Sequence, residues 1–135
     1  PIEKDCLDIL LKGTQPIVAC PARGISRMRI PSDWKKPIDQ GRLLVLSPFD
    51  EKQKRPTVST AQRRNHLVAK LGRSFLIPYA DAGSKTEQLG REIIQSGKRV
   101  YSFKSERSLL MKSGAKTIEC TIEEIKGLAG DLYAE

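Results

Sequence analysis

Ser74-Phe75-Leu76-Ile77-Pro78-Tyr79-Ala80, followed at once by Asp81-Ala82-Gly83-Ser84-Lys85-Thr86-Glu87, is the stretch that decides the fold. The first part is an almost continuous apolar run without the alternation of a half-exposed strand, and reads as a strand buried on both faces. The second part changes character within a few residues. Gly83 is free to take positive φ, Ser84 suits an N-cap, and Lys85 opens a helix that reaches Ser96 and stops at Gly97. A buried strand that passes through a glycine turn into a helix is one step of a parallel α/β sheet.

Working outward, the alternation repeats. Arg99 to Phe103 reads as the next strand, Ser105 to Ser113 as a helix ended by Gly114, and Lys116 to Cys120 as a short strand. Thr121 with Glu124 forms a capping box that opens a last helix to about Tyr133. Toward the N-terminus, Thr57 to Leu71 is a helix stopped by Gly72, with Leu67, Val68 and Leu71 expected to face the core. Before it come a basic loop from Asp50 to Pro56 and an apolar strand, Leu43 to Leu46. Residues 31–39 form a short helix or turn-rich connection that Ser32 is placed to cap and Pro37 to limit. Pro16 to Cys20 is a further strand, and Glu3 to Lys12 an amphipathic helix ending at Gly13.

The pattern predicts a single domain over residues 1–135: α/β, doubly wound, with a mainly parallel, Rossmann-like sheet. Ligands of such sheets sit beyond the carboxyl ends of the strands. That rule singles out the loops at 20–30, 47–57 and 80–87.

Composition narrows the function classes. The 135 residues are 39% hydrophobic, 30% charged and only 5% aromatic, which excludes disordered and low-complexity classes. No apolar run approaches the roughly 18 residues of a membrane span. Pro1 to Asp5 has no signal-peptide character, and the absence of an initiator methionine reads as a processed or cropped piece. Cys6, Cys20 and Cys120 show neither CxxC nor metal-ligand spacing, which points to a reduced, cytoplasmic setting without a bound metal. No cofactor motif is present.

Net charge is +8, and it is regional. Residues 21–42 hold six Lys/Arg against two Asp, residues 51–73 hold seven against one Glu, and residues 119–135 reverse the sign with one Lys against five acids. This is the distribution of a protein with one face turned to a polyanion. A solvated basic surface without a ligand has the same composition.

Gly83, Ser84, Lys85 and Thr86 present unpaired backbone N–H groups, a hydroxyl and a positive helix end, the elements of an anion seat. The same residues serve a second reading, in which Ser84 caps the helix and Glu87 completes a capping box. A Walker loop is excluded, because Ser84 and Tyr79 stand where its glycines belong. The helix from Thr57 carries Arg63-Arg64-Asn65-His66, with an arginine expected at the same sheet edge as Gly83. Arg64 and Asn65 are its phosphate-binding candidates, since guanidinium groups pair with phosphate in bidentate fashion. Arg23, Arg27, Arg29, Lys52, Lys54, Arg55 and Arg63 are the candidates for contacts along a nucleic-acid backbone. Trp34, Phe49 and Tyr79 read either as base-stacking residues or as half-buried anchors. His66 is the only histidine and lacks a nucleophile at triad spacing, so no catalytic residue is assigned.

The order of these segments resembles the DNA-processing protein A (DprA/Smf) family, within the Rossmann-like superfamily that includes the Lonely Guy phosphoribohydrolases. The resemblance is carried by Leu43-Leu44-Val45-Leu46-Ser47-Pro48-Phe49, by Gln62 to Leu71, by Ala82-Gly83-Ser84-Lys85-Thr86 and by Gly97-Lys98-Arg99-Val100-Tyr101. Cys20 to Ile25 with Arg27-Met28-Arg29-Ile30-Pro31 is similar to a DprA-like subgroup. The resemblance implies single-stranded DNA as ligand, delivery to a RecA-type recombinase during DNA processing and transformation, and a homodimer. It also implies that the family's first glycine-rich βα turn precedes Pro1. The alternative it carries is a nucleotide-binding or nucleotide-cleaving module of the Lonely Guy class. Arg64 would then hold phosphate and Glu87 would lie near the ribose of a nucleoside monophosphate.

Overall fold

The computed structural model describes residues 2–104 and 109–118. The chain forms two compact units, Pro1–Val68 and Ala69–Glu135. In the first, α1 (Ile2–Lys12) leads to β1 (Ile17–Ala19), α2 (Ser32–Asp39), β2 (Leu43–Val45) and α3 (Val58–Leu71), whose last turn belongs to the second unit. The second continues with β3 (Ser74–Leu76), α4 (Lys85–Gln95), β4 (Arg99–Phe103) and β5 (Lys116–Ile118). Among the described residues all strand pairs are parallel, in keeping with the expected α/β class, and they lie in two sheets, β1-β2 and β3-β4-β5.

In the first unit Ile17 and Leu43 pair in register and are both buried, while their neighbours Val18 and Leu44 are more than half exposed. Pleating alone produces this alternation. The connection through α2 starts at Pro31 rather than at a Ser32 cap: Ser32 is the first helical residue, and Pro31 makes no side-chain cap bond. Arg42, counted above with the surface charge, is structural. Its guanidinium donates to the carbonyls of Leu10 at 3.3 Å, Leu11 at 2.9 Å and Gln15 at 3.2 Å, satisfying acceptors that the end of α1 leaves open.

The second unit holds the larger core. Ala80, Ile93, Val100, Leu110 and Ala115 form it, flanked by Ala69, Phe75, Ile77 and Leu89. Burying a side chain such as Leu110 stabilises by roughly 1.5–3 kcal/mol. Gly90 lets α4 approach this core, because a Cβ there would meet a Leu110 methyl at 2.5 Å. Lys98 Nζ closes the end of α3, donating to the carbonyls of Ala69 at 2.6 Å, Lys70 at 3.1 Å and Gly72 at 2.9 Å. Val68 and Leu71, expected in the core, are 36% and 61% exposed; Ala69 packs there instead.

β3 is shorter than the apolar run 74–80 because Pro78 has no N–H to continue the ladder, although Ile77 still donates to the Tyr101 carbonyl at 2.9 Å. Residues 109–114 form a hydrogen-bonded turn where a helix was expected. Residues 105–108, 119 and 120, and the last predicted helix lie outside the described residues.

Candidate nucleic-acid interface

The loops that follow β1 and β2 interlock. The Ser47 hydroxyl donates to the Arg23 carbonyl at 2.7 Å and accepts from the Phe49 N–H at 3.1 Å, so one oxygen ties both loops. Gly24 donates its N–H to the Gln53 carbonyl at 2.8 Å, and its Cα faces the Asp50 carbonyl oxygen without room for a side chain. Asp50 accepts from the Lys52 N–H at 2.9 Å, an Asx turn that rounds the basic loop. The loop then enters α3 through reciprocal bonds between Thr57 and Thr60.

Two arginines of α3 reach these loops. Arg64 donates from Nη1 to the Cys20 carbonyl at 3.1 Å, and its Nη2 lies 3.4 Å from the exposed carboxylate of Glu3. The guanidinium carbon of Arg63 sits 5.5 Å from the centroid of the Phe49 ring. Arg23 and Arg64 are partly buried, and the Nε of each is enclosed without an acceptor among the described residues. Arg27, Arg29, Lys52, Lys54, Arg55 and Arg63 are exposed, and Asn65 is half-buried. Burial raises the Cys20 thiol pKa, partly offset by the positive charge of Arg64. The first unit therefore gathers the 20–30 and 47–57 loops and the start of α3 at the carboxyl ends of two parallel strands. That is where an open α/β sheet places its ligands.

The turn at Gly83 lies in the second unit. Gly83 takes φ +75°, and Ser84 donates its N–H to the Asp81 carbonyl at 3.0 Å. Ser84 Oγ accepts from the Glu87 N–H at 3.1 Å, while Glu87 Oε2 accepts from the Gly83 N–H at 2.6 Å. Ser84 is thus the helix cap, but Glu87 reaches past it to the N–H of the preceding residue rather than to that of Ser84, as a capping box would require. The other carboxylate oxygen accepts from Arg91 Nε at 3.0 Å and Nη2 at 2.6 Å, and the Glu87 side chain is only 4% exposed. The Gly83 N–H and then the Arg91 bonds hold its pKa below the usual carboxylate range. Glu87 is an internal anion at this turn, with both oxygens engaged. The N–H groups of Lys85 and Thr86 are the donors that helix geometry leaves over, beside exposed side chains.

Sequence reasoning did not anticipate Arg91, although Glu87 and Arg91 stand at the i, i+4 spacing that pairs charges on a helix. Nor did it assign Ser47 and Gly24 their part in locking the loops. A serine just after a strand and a glycine among arginines carry no signal of long-range pairing. Among the described residues no cluster of His, Cys, Asp or Glu is grouped to hold a metal, and no helix is long and apolar enough to cross a membrane.

The X-ray structure of DNA processing protein A (DprA) from Streptococcus pneumoniae superposes on 83% of this chain with a TM-score of 0.61 and 18% sequence identity. The fold is DprA-like. The chain spans 42% of the length of that DprA chain. No family model matches the sequence, and no curated protein matches it. The interlocked loops of the first unit carry most of the exposed cationic candidates; Lys85 and Thr86 stand at the Gly83 turn of the second.

Proposed function

We propose that this chain is a non-enzymatic, single-stranded DNA-binding module of a DNA-processing protein, and that the basic edge of the first unit is its contact surface. The observation that carries the reading is the lock at Ser47 and Gly24. It holds Arg23, the 52–55 cations and the start of α3 in fixed relation at the strand ends. Exposed Lys and Arg side chains on such a frame neutralise backbone phosphates without reading bases. The DprA-like fold supports the choice of DNA over another polyanion. Lys85 and Thr86, with Gly83 and Ser84 shaping their turn, offer a second, smaller phosphate contact. A RecA-type partner, a homodimer and a cytoplasmic location belong to the same reading, by way of the fold.

The test is binding of a labelled single-stranded oligonucleotide across a salt series. Contact with four to six phosphates gives a log-log slope of about −3 to −4. A flat slope would sink the proposal. The nucleotide-cleaving alternative draws no support from Glu87, whose oxygens are committed to Gly83 and Arg91. Release of base from a nucleoside monophosphate, abolished by Glu87→Gln, would reinstate it.

A further inference from the structure

We infer that Phe49 is a positioning residue of the basic edge: its ring seats the Arg63 guanidinium, and Ser47 anchors the backbone that carries the ring. The inference rests on the DNA-binding reading and adds uncharged residues that never meet phosphate.

Three observations carry it. First, Arg63 is exposed, and among the described residues its guanidinium has no hydrogen-bond acceptor or carboxylate partner, so its donors stay available for a ligand. Arg64, one residue on, spends its Nη1 on the Cys20 carbonyl. Second, the guanidinium carbon of Arg63 lies 5.5 Å from the Phe49 ring centroid, inside the reach of a cation–π attraction. Third, the backbone of Phe49 is itself fixed. Its N–H donates to a Ser47 hydroxyl that is also tied to the Arg23 carbonyl, which leaves that hydroxyl little freedom to rotate.

An exposed arginine samples many rotamers, and ordering it when a ligand arrives opposes binding. A ring that limits this sampling beforehand lowers that cost while leaving the N–H donors free. One hydroxyl thus couples the Arg23 loop to the seat of Arg63. Two cations from different elements are held in register by a serine and a phenylalanine.

The experiment uses a fluorescein-labelled single-stranded oligothymidine and the full chain. Phe49→Leu keeps the apolar volume and removes the ring; it weakens binding about two- to five-fold, the factor of one exposed cation–π contact. Phe49→Tyr and Phe49→Trp, which keep a ring, stay near wild type. Ser47→Ala reproduces the loss and Ser47→Thr restores the hydroxyl. Because no charge is removed, the salt slope of Phe49→Leu stays that of wild type, whereas Arg63→Ala lowers its magnitude by about 0.7. In the Arg63→Ala background Phe49→Leu adds nothing. An undiminished effect of Phe49→Leu in that background overturns the inference, as does wild-type affinity in Phe49→Leu itself. A flat salt slope in the wild type instead refutes the underlying DNA-binding reading. The seat is then judged in the free protein, by the ring-current displacement of the Arg63 side-chain resonances. That displacement disappears in Phe49→Leu if the seat exists, and its absence from the wild type overturns the inference whatever the chain binds.

Discussion

An alanine at position 24 would drive its Cβ into the Asp50 carbonyl oxygen, 2.9 Å from that carbonyl carbon and 3.4 Å from the Glu51 Cα. All three are backbone atoms, so no side-chain rotation relieves the contact. Gly24 is not among the glycines with positive φ, and the cost is therefore steric rather than conformational. The loops must part, which breaks the 2.8 Å bond from the Gly24 N–H to the Gln53 carbonyl and strains the Ser47 lock. Overpacking costs about 1–3 kcal/mol and a lost internal hydrogen bond about 1 kcal/mol, so Gly24→Ala should destabilise the first unit by about 2–4 kcal/mol. Trp34, the only tryptophan, lies in that unit and reports its unfolding in urea. With a slope of about 2 kcal/mol per molar urea, the midpoint should fall by about 1–2 M. Oligonucleotide affinity should drop with it, because the Arg23 loop no longer sits against the 50–53 loop. Gly41→Ala is the control: it meets nothing within 4 Å but has φ +69°, and left-handed backbone alone costs about 1–2 kcal/mol. A Gly24→Ala midpoint and affinity equal to wild type, or a Gly41→Ala variant that is the more damaged of the two, would refute the reasoning.

Further outcomes are expected elsewhere. Glu87 has a lowered pKa in the folded chain, so its contribution to stability is present above its ordinary value of about 4.3 and is lost as pH falls through the folded value. Melting temperatures measured downward from neutral pH should therefore drop more steeply for wild type than for Glu87→Gln; parallel acid limbs would count against the buried ion pair. Lys98→Met leaves the carbonyls of Ala69, Lys70 and Gly72 without their donor and should cost about 1–3 kcal/mol in chemical denaturation. Arg42→Met should have a similar effect on the first unit through the end of α1, with little change in oligonucleotide affinity. A large affinity loss in that variant would mean that Arg42 contacts the ligand.

The parallel α/β class was legible because short apolar runs alternate with glycine-stopped helices, and β4 falls on the residues that periodicity marks, Arg99–Phe103. The Ser84 cap was equally readable, since its bond to Glu87 is local, though Glu87 turns its carboxylate to Gly83 instead of Ser84. What the sequence hid is long-range. The pairing of strands into two sheets depends on contacts between segments many residues apart. So do the Ser47–Arg23 and Arg64–Cys20 bonds, which span 24 and 44 residues. No local pattern announces that a serine hydroxyl will find a carbonyl in another loop. Pro31 displaced Ser32 from the cap position for a related reason: propensity names residues that suit a cap, while the chain's path decides which of them occupies it.

Charge counting along the chain marks where a polyanion could bind but overstates how much of the charge is available. Four of the chain's cations are committed wholly or partly within the protein. Arg42 and Lys98 close the ends of α1 and α3, Arg91 holds Glu87, and Arg64 joins α3 to the end of β1. A cation whose donors already meet carbonyls gains little from a phosphate, because one set of bonds is exchanged for another. Arg27, Arg29, Lys52, Lys54, Arg55 and Arg63 carry no such commitment among the described residues. Arg63 alone among these six lies against an aromatic ring. The salt dependence of binding should therefore follow this smaller exposed set. Removal of a committed cation should register first as lost stability, and removal of an exposed one as a lower salt slope.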